Sequence, residues 1–256
     1  MSIIALRAWY LQDYEPITEL EKRPPDIRLS KKSLLKSGLR ADFLEDSDEV
    51  KASTWFRRYL EGENIEFYIE GSGGYCVANI DLISHEIYLT KQSLLAQLEP
   101  TIFFCYQTEY AKSSDLLREQ LQESLQLLNG KSRLPLTLIE SSRPSHAPLR
   151  LNRTMMRKIR KSLLFIADTT PITSIDGKET CQLIPSPNVC VEIGYAMENK
   201  RSEQIVLGQM QRPELEGQFP FDLPTQQILQ FRDGAELNKI LTVTMENQLA
   251  RFKLFF

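Results

Sequence analysis

The chain has 256 residues, 42% hydrophobic and 25% charged, an ordinary globular mixture that excludes a disordered, collagen-like or low-complexity protein. Its 31 Lys and Arg stand against 34 Asp and Glu, and the formal charge of -3 argues against nucleic-acid binding through a wholly basic surface. No run approaches the ~18 apolar residues that a membrane helix needs.

The opening residues, Met1 to Arg7, lack a basic segment followed by an apolar stretch of signal-peptide length, so the expected location is cytoplasmic. An apolar run from Ile3 to Leu11 leads into a polar stretch containing Pro24 and Pro25. Asp46, with Glu49 three residues later, resembles a capping box opening a helix that carries Ala52, Trp55, Phe56 and Tyr59 on one side. Alternation in 65–70 and 75–80 around Gly71, Gly73 and Gly74 predicts a β-hairpin, with 86–89 as a third strand. These glycines fit neither GxGxxG nor GxxxxGK[ST], so a hairpin turn outweighs a phosphate loop.

Near residue 97 the pattern changes, and the expected division is an α+β module over 1–96 and a second domain over 97–256. From Pro100 onward, strand and helix alternate. Residues 101–106 form a continuous apolar run, as expected of a strand buried on both faces. A helix over 113–128 carries Leu117, Leu121 and Leu128 at helical spacing and is stopped by Asn129 and Gly130. Strands follow at 134–139, 162–167, 204–207 and 228–231, and helices at 152–161, 188–198 and 236–252. Alternation of this kind predicts an α/β fold with a parallel sheet and helices on both faces.

Ligands of such a fold bind outside the carboxyl ends of the strands, where strand order reverses. Three polar groups fall there: Gln107, Thr108, Glu109 and Tyr110 after the first strand; Asp168, Thr169 and Thr170 after the third; and the segment 186–196, where Asn188 opens a helix bearing Glu192. Each has a plain structural reading, as turn former, N-cap or helix-start charge. Glu192, however, lies among Val189, Val191, Ile193 and Ala196, where a carboxylate is costly unless it serves something. Gly194 would admit a substrate, or else tight helix packing. Cys76, Cys105, Cys181 and Cys190 form no CxxC pair, and His85 and His146 lie far apart. No metal site, cofactor or histidine-dependent nucleophile is therefore expected. Arg150, Arg153, Arg157, Lys158, Arg160 and Lys161 surround an i, i+4 stripe of Leu151, Met155, Ile159 and Leu163, which reads as an amphipathic helix with a solvated basic face.

The run from Ile159 to Thr169, followed by Pro187, Asn188, Glu192, Gly194 and Ala196, resembles the TIR-like nucleotide-binding proteins, relatives of TIR domains and nucleoside 2-deoxyribosyltransferases. The likeness covers roughly residues 98–256. It implies a flavodoxin-like sheet with a nucleotide pocket, in which Glu192 acts on an N-glycosidic bond and Gln107, Thr108, Asp168, Thr169, Asn188 and Gly194 bind substrate. Two departures stand out: a loop inserted over 170–186, and a first strand ending in Cys105, Tyr106 and Gln107 in place of a Ser-rich turn.

The expected activity is a nucleotide N-glycosidase, most simply an NAD hydrolase used in defence or signalling, with NAD as substrate. The rivals are a non-catalytic nucleotide sensor or interaction module with the same pocket, and a nucleoside deoxyribosyltransferase or hydrolase. One carboxylate suffices for NAD, whose nicotinamide leaves neutral; a nucleoside would need a second acid, for which Asp168 is the candidate. Residues 1–96 are expected to serve regulation or assembly, with a homo-oligomer or assembly partner, and with neither membrane nor nucleic acid engaged.

Overall fold

Two separate cores organise the chain: contacts group it into one unit over Met1–Leu98 and another over Glu99–Phe256. The structure is a computed structural model describing residues 5–31, 40–92, 97–141, 153–176, 181–219 and 228–255. His146, Arg150, Leu151 and Asn152 lie outside the described residues. Among the described residues no helix is long and apolar enough to cross a membrane.

The first unit is an antiparallel sheet of six strands: β1 (Ala5–Tyr10), β2 (Ile27–Ser30), β3 (Arg40–Asp42), β4 (Glu66–Ile69), β5 (Gly73–Asp81) and β6 (Glu86–Gln92), ordered β2-β1-β4-β5-β6-β3. A bridge between Leu29 and Phe43 joins the two outer strands, and the Leu44 N–H donates to the Arg28 carbonyl at 3.0 Å. The sheet thus curls closed, which removes its free edges. Residues Ala8, Ile27, Leu29, Phe67, Ile69 and Leu89 turn into one core.

Helices of this unit include α1 (Ile17–Leu20), α2 (Ser47–Ala52) and α3 (Thr54–Leu60). The single helix expected after Asp46 is therefore two. Asp46 makes no side-chain cap bond, and the backbone turns extended at Ser53, whose hydroxyl caps α3 by accepting from the Phe56 N–H at 3.2 Å. Ala52 is exposed, while Trp55 and Phe56 enter the core, Trp55 edge-on to Phe67 at 5.1 Å. The hairpin falls where the glycines predict it, between β4 and β5, with Gly71 and Gly73 at φ +68° and +109°.

The second unit is a mixed α/β assembly around a five-stranded parallel sheet. Its strands are β7 (Glu99–Cys105), β8 (Thr137–Glu140), β9 (Ser162–Asp168), β12 (Ile205–Met210) and β13 (Ile228–Phe231), ordered β13-β12-β9-β7-β8. Every neighbouring pair is parallel. All seven residues of β9 are buried, as the centre of a sheet covered on both faces requires.

Phe103, Cys105, Phe165, Ala167, Ile205 and Leu207 turn to one face, against α5 (Arg153–Lys161) and α6 (Pro187–Asn199). The alternating positions turn to the other face, covered by α4 (Ala111–Asn129) and α7 (Gly234–Ala250). There Gly208 lets α4 approach: a Cβ on it would lie 2.8 Å from Leu117 Cδ2. The end of α4 departs from expectation, since Gly130 is right-handed (φ -64°) and the Asn129 carboxamide instead binds both backbone groups of Leu136. That clamp leads into β8, which begins three residues later than the apolar run predicts. The inserted segment is also more than a loop. It carries an antiparallel pair, β10 (Thr173–Ile175) with β11 (Gln182–Ile184).

Candidate functional site

Taken in chain order, the parallel strands β7, β8, β9, β12 and β13 lie in the sheet as 2-1-3-4-5. The order therefore reverses between β7 and β9, and their exits flank the crevice where such sheets bind ligands.

A hydrogen-bond network built on Asp168 occupies this crevice. Asp168 is fully buried at the end of β9. Its Oδ2 accepts from the Ser113 and Ser114 hydroxyls at 2.5 and 2.6 Å, and its Oδ1 from the Thr170 N–H at 3.0 Å. Ser114 Oγ in turn accepts from the Gln107 N–H at 3.0 Å, and Gln107 Nε2 donates to the Thr170 carbonyl at 2.9 Å. The first turn of α4 and the exits of β7 and β9 are thus locked together. Both carboxylate oxygens of Asp168 are committed to this task, so its geometry is that of a brace. Gln107 Oε1 is buried and has no hydrogen-bond partner among the described residues.

A second carboxylate ties the β7 exit to α6. Glu109 Oε1 accepts from the Ser186 hydroxyl at 3.0 Å, and Oε2 from the Thr108 N–H at 3.0 Å. Burial pushes the Glu109 pKa up, but backbone N–H groups and the Ser186 hydroxyl outweigh it and hold it below its ordinary value. Glu109 is therefore an ionised, positioned carboxylate at neutral pH.

The remaining predicted residues separate. Thr169 turns away from the crevice: its N–H and hydroxyl both donate to the Gly208 carbonyl, at 2.8 and 3.0 Å. Thr108 is exposed, with its hydroxyl 3.4 Å from Glu109 Oε2. Asn188 does not open its helix. Ser186 is the N-cap residue and Pro187 takes the first position, which suits proline because its missing N–H would be unsatisfied there. Asn188 is half-buried in the first turn.

Glu192 is fully buried, on the face of α6 that also buries Val189, Ile193 and Ala196. It has an interaction partner within the protein. The helix begins at the carboxyl edge, so Glu192 lies roughly 7 Å along it at 1.5 Å per residue. Gly194, two residues on, faces about 200° away at 3.6 residues per turn. It is exposed, and a Cβ there would meet nothing within 4 Å. Neither substrate approach beside Glu192 nor tight packing explains it.

The sequence pattern does not single out Ser113 or Ser114. Ser113 and Ser114 stand in the first turn of α4 and donate to Asp168 without capping the helix, and only the Ser186-Pro187 pair is a helix-start signal in the sequence. On α5, Arg153, Arg157, Lys158 and Arg160 are exposed, Met155 and Ile159 are buried, and Lys161 pairs with Glu99 at 2.9 Å.

Comparison with protein-family models, with curated proteins and with solved structures returns no match for this chain.

Proposed function

We propose that this chain is a nucleotide N-glycosidase of TIR-like type, in its simplest form a cytoplasmic NAD hydrolase releasing nicotinamide in defence or signalling. Strand order 2-1-3-4-5 is the order of flavodoxin-like sheets, and it supports the finer fold reading. The observation that carries the activity is Glu192: a fully buried carboxylate on the helix that starts at the reversal of strand order. A carboxylate in such a place is a candidate for stabilising or capturing the oxocarbenium-like state of glycosidic cleavage.

The neighbouring carboxylates favour NAD over an ordinary nucleoside. Asp168 is engaged by three donors, and Glu109 is held ionised, so neither is a ready proton donor for a leaving base. Nicotinamide departs from NAD neutral and needs none. Glu109, exposed at the same edge, offers a carboxylate acceptor to ribose hydroxyls. In this reading residues 1–96 serve regulation or assembly.

A second reading, a non-catalytic nucleotide sensor, draws on one fact: Glu192 is enclosed and already engaged within the protein. Incubation with NAD, with and without molecular crowding, separates the two. Chromatographic release of nicotinamide that disappears in Glu192→Gln supports the glycosidase. Saturable NAD binding without nicotinamide release in either condition supports the sensor.

A further inference from the structure

Beside the crevice, at the carboxyl ends of β12 and β13, lies a cavity of about 330 Å³. That volume stands at the lower end of small-molecule pockets and holds a base with part of its sugar. None of the residues expected to bind substrate lines it.

Gln209 of β12 and Gln230 of β13 are register partners in a parallel pair. Side chains in register on adjacent parallel strands leave the sheet on one face, about 4.8 Å apart. Ile205 and Leu207 set that face as the one carrying α6. Neither carboxamide has a hydrogen-bond partner among the described residues, although Gln209 is half-buried. Two adjacent, unengaged amides therefore open onto a cavity whose other walls include Pro171, Leu183 and Leu215.

Arg212 forms a further wall and is spoken for. Its Nη1 donates to the Pro171 carbonyl at 2.9 Å, its Nε donates to Glu214 Oε1 at 2.7 Å, and its guanidinium lies 4.4 Å from the centre of the Tyr110 ring. Tyr110 sits in the β7 exit loop beside Glu109, so this wall joins the cavity to the crevice.

We infer that the Gln209–Gln230 cavity is the base subsite of this edge and selects an adenine-type heterocycle. An amide offers one donor and one acceptor in a plane, the complement of the amino group and ring nitrogen of adenine. Guanine presents two acceptors on the corresponding edge and calls for a free guanidinium or ammonium, whereas the Arg212 guanidinium is bound to a carbonyl and a carboxylate. Apolar Leu183, Leu215 and Pro171 suit the faces of a flat ring. The inference rests on the nucleotide reading only for the rest of the ligand; base selection stands on the cavity itself.

The test measures binding of adenosine and guanosine by calorimetry to the full chain, to Gln230→Leu and to Gln209→Leu/Gln230→Leu, with nicotinamide release from NAD followed in the same proteins. Gln230 is exposed, so the single variant keeps the experiment informative should the double variant fail to fold. Adenosine is expected to bind roughly tenfold or more tightly than guanosine, and roughly tenfold more weakly to Gln230→Leu with an unchanged melting temperature. Equal affinity for the two nucleosides, no adenosine binding at millimolar concentration, or unaltered binding by Gln230→Leu overturns the subsite. Turnover of NAD with KM unchanged in Gln230→Leu overturns the subsite while leaving the glycosidase standing. Gln230-dependent adenosine binding without turnover upholds the subsite and removes the glycosidase.

Discussion

Replacing Asp168 by Ala removes the acceptor for three donors at once: the Ser113 and Ser114 hydroxyls and the Thr170 N–H. A hydrogen bond to a charged group contributes about 1.5–3 kcal/mol, and a buried donor left without a partner costs about 1–3 kcal/mol. The full sum is not reached. Ser113 Oγ also lies 3.1 Å from the Tyr110 carbonyl and keeps that partner, and removal of a fully buried charge returns part of its desolvation cost. A loss of about 3–4 kcal/mol follows. For a unit of this size that lowers Tm by roughly 6–16 °C. Asp168→Asn should cost about half as much, because the amide retains one acceptor and the hydroxyls can reverse direction. Ser114→Ala, which breaks one bond to Asp168 and one from the Gln107 N–H, should fall between wild type and Asp168→Ala. Urea unfolding followed by near-ultraviolet circular dichroism measures all three. A cost below 1 kcal/mol for Asp168→Ala would show that the network does not brace the β7 and β9 exits.

Gly208→Ala forces a Cβ to 2.8 Å from Leu117 Cδ2 and should cost about 1–3 kcal/mol; a double-mutant cycle with Leu117→Ala should show coupling above 0.5 kcal/mol, and strict additivity refutes the contact. Gly194→Ala, in a helix interior with open space at its Cβ, should stabilise the fold by about 0.5–1 kcal/mol in thermal melts and leave NAD turnover unchanged; lost activity would return Gly194 to the substrate. Lys200 is buried after α6 with Nζ 2.5 Å from the Ser162 carbonyl, and burial lowers its pKa from 10.5 to about 7. The unfolded chain then binds a proton that the folded one releases, so this group's contribution to stability rises between pH 7 and about 10.5. Lys200→Met should accordingly gain most over wild type at pH 7 and lose that advantage toward pH 10.5; a pH-independent difference contradicts it.

How much of this was legible in the sequence depended on the range of the interactions involved. The buried strands β7 and β9 announce themselves by apolar runs, and the β4–β5 hairpin by its glycines, because both signals are local. The closure of the first sheet was not legible. It rests on a bridge between Leu29 and Phe43 whose short flanking strands show too little period to read. At the crevice, sequence placed Gln107, Asp168 and Glu192 near the carboxyl edge but not their directions. Asp168 and Thr169 are adjacent in a chain leaving a strand, so one binds the serines of α4 and the other the carbonyl of Gly208. Ser186 displaced Asn188 as the helix-capping position because Pro187 follows it. For Glu109 the sequence shows a place at the carboxyl edge but not its fixed carboxylate, because the Ser186 hydroxyl that holds it lies 77 positions away.

Whether Glu192 acts on the bond between ribose and base is decided by the split between turnover and affinity for NAD in Glu192→Gln. The substitution keeps size and hydrogen-bonding capacity and removes the charge that an oxocarbenium-like state needs. kcat should fall roughly 10²-fold or more, about 2.7 kcal/mol of transition-state stabilisation, while Kd for NAD stays within roughly threefold and the melting transition remains cooperative. Turnover at the wild-type rate in folded Glu192→Gln contradicts it.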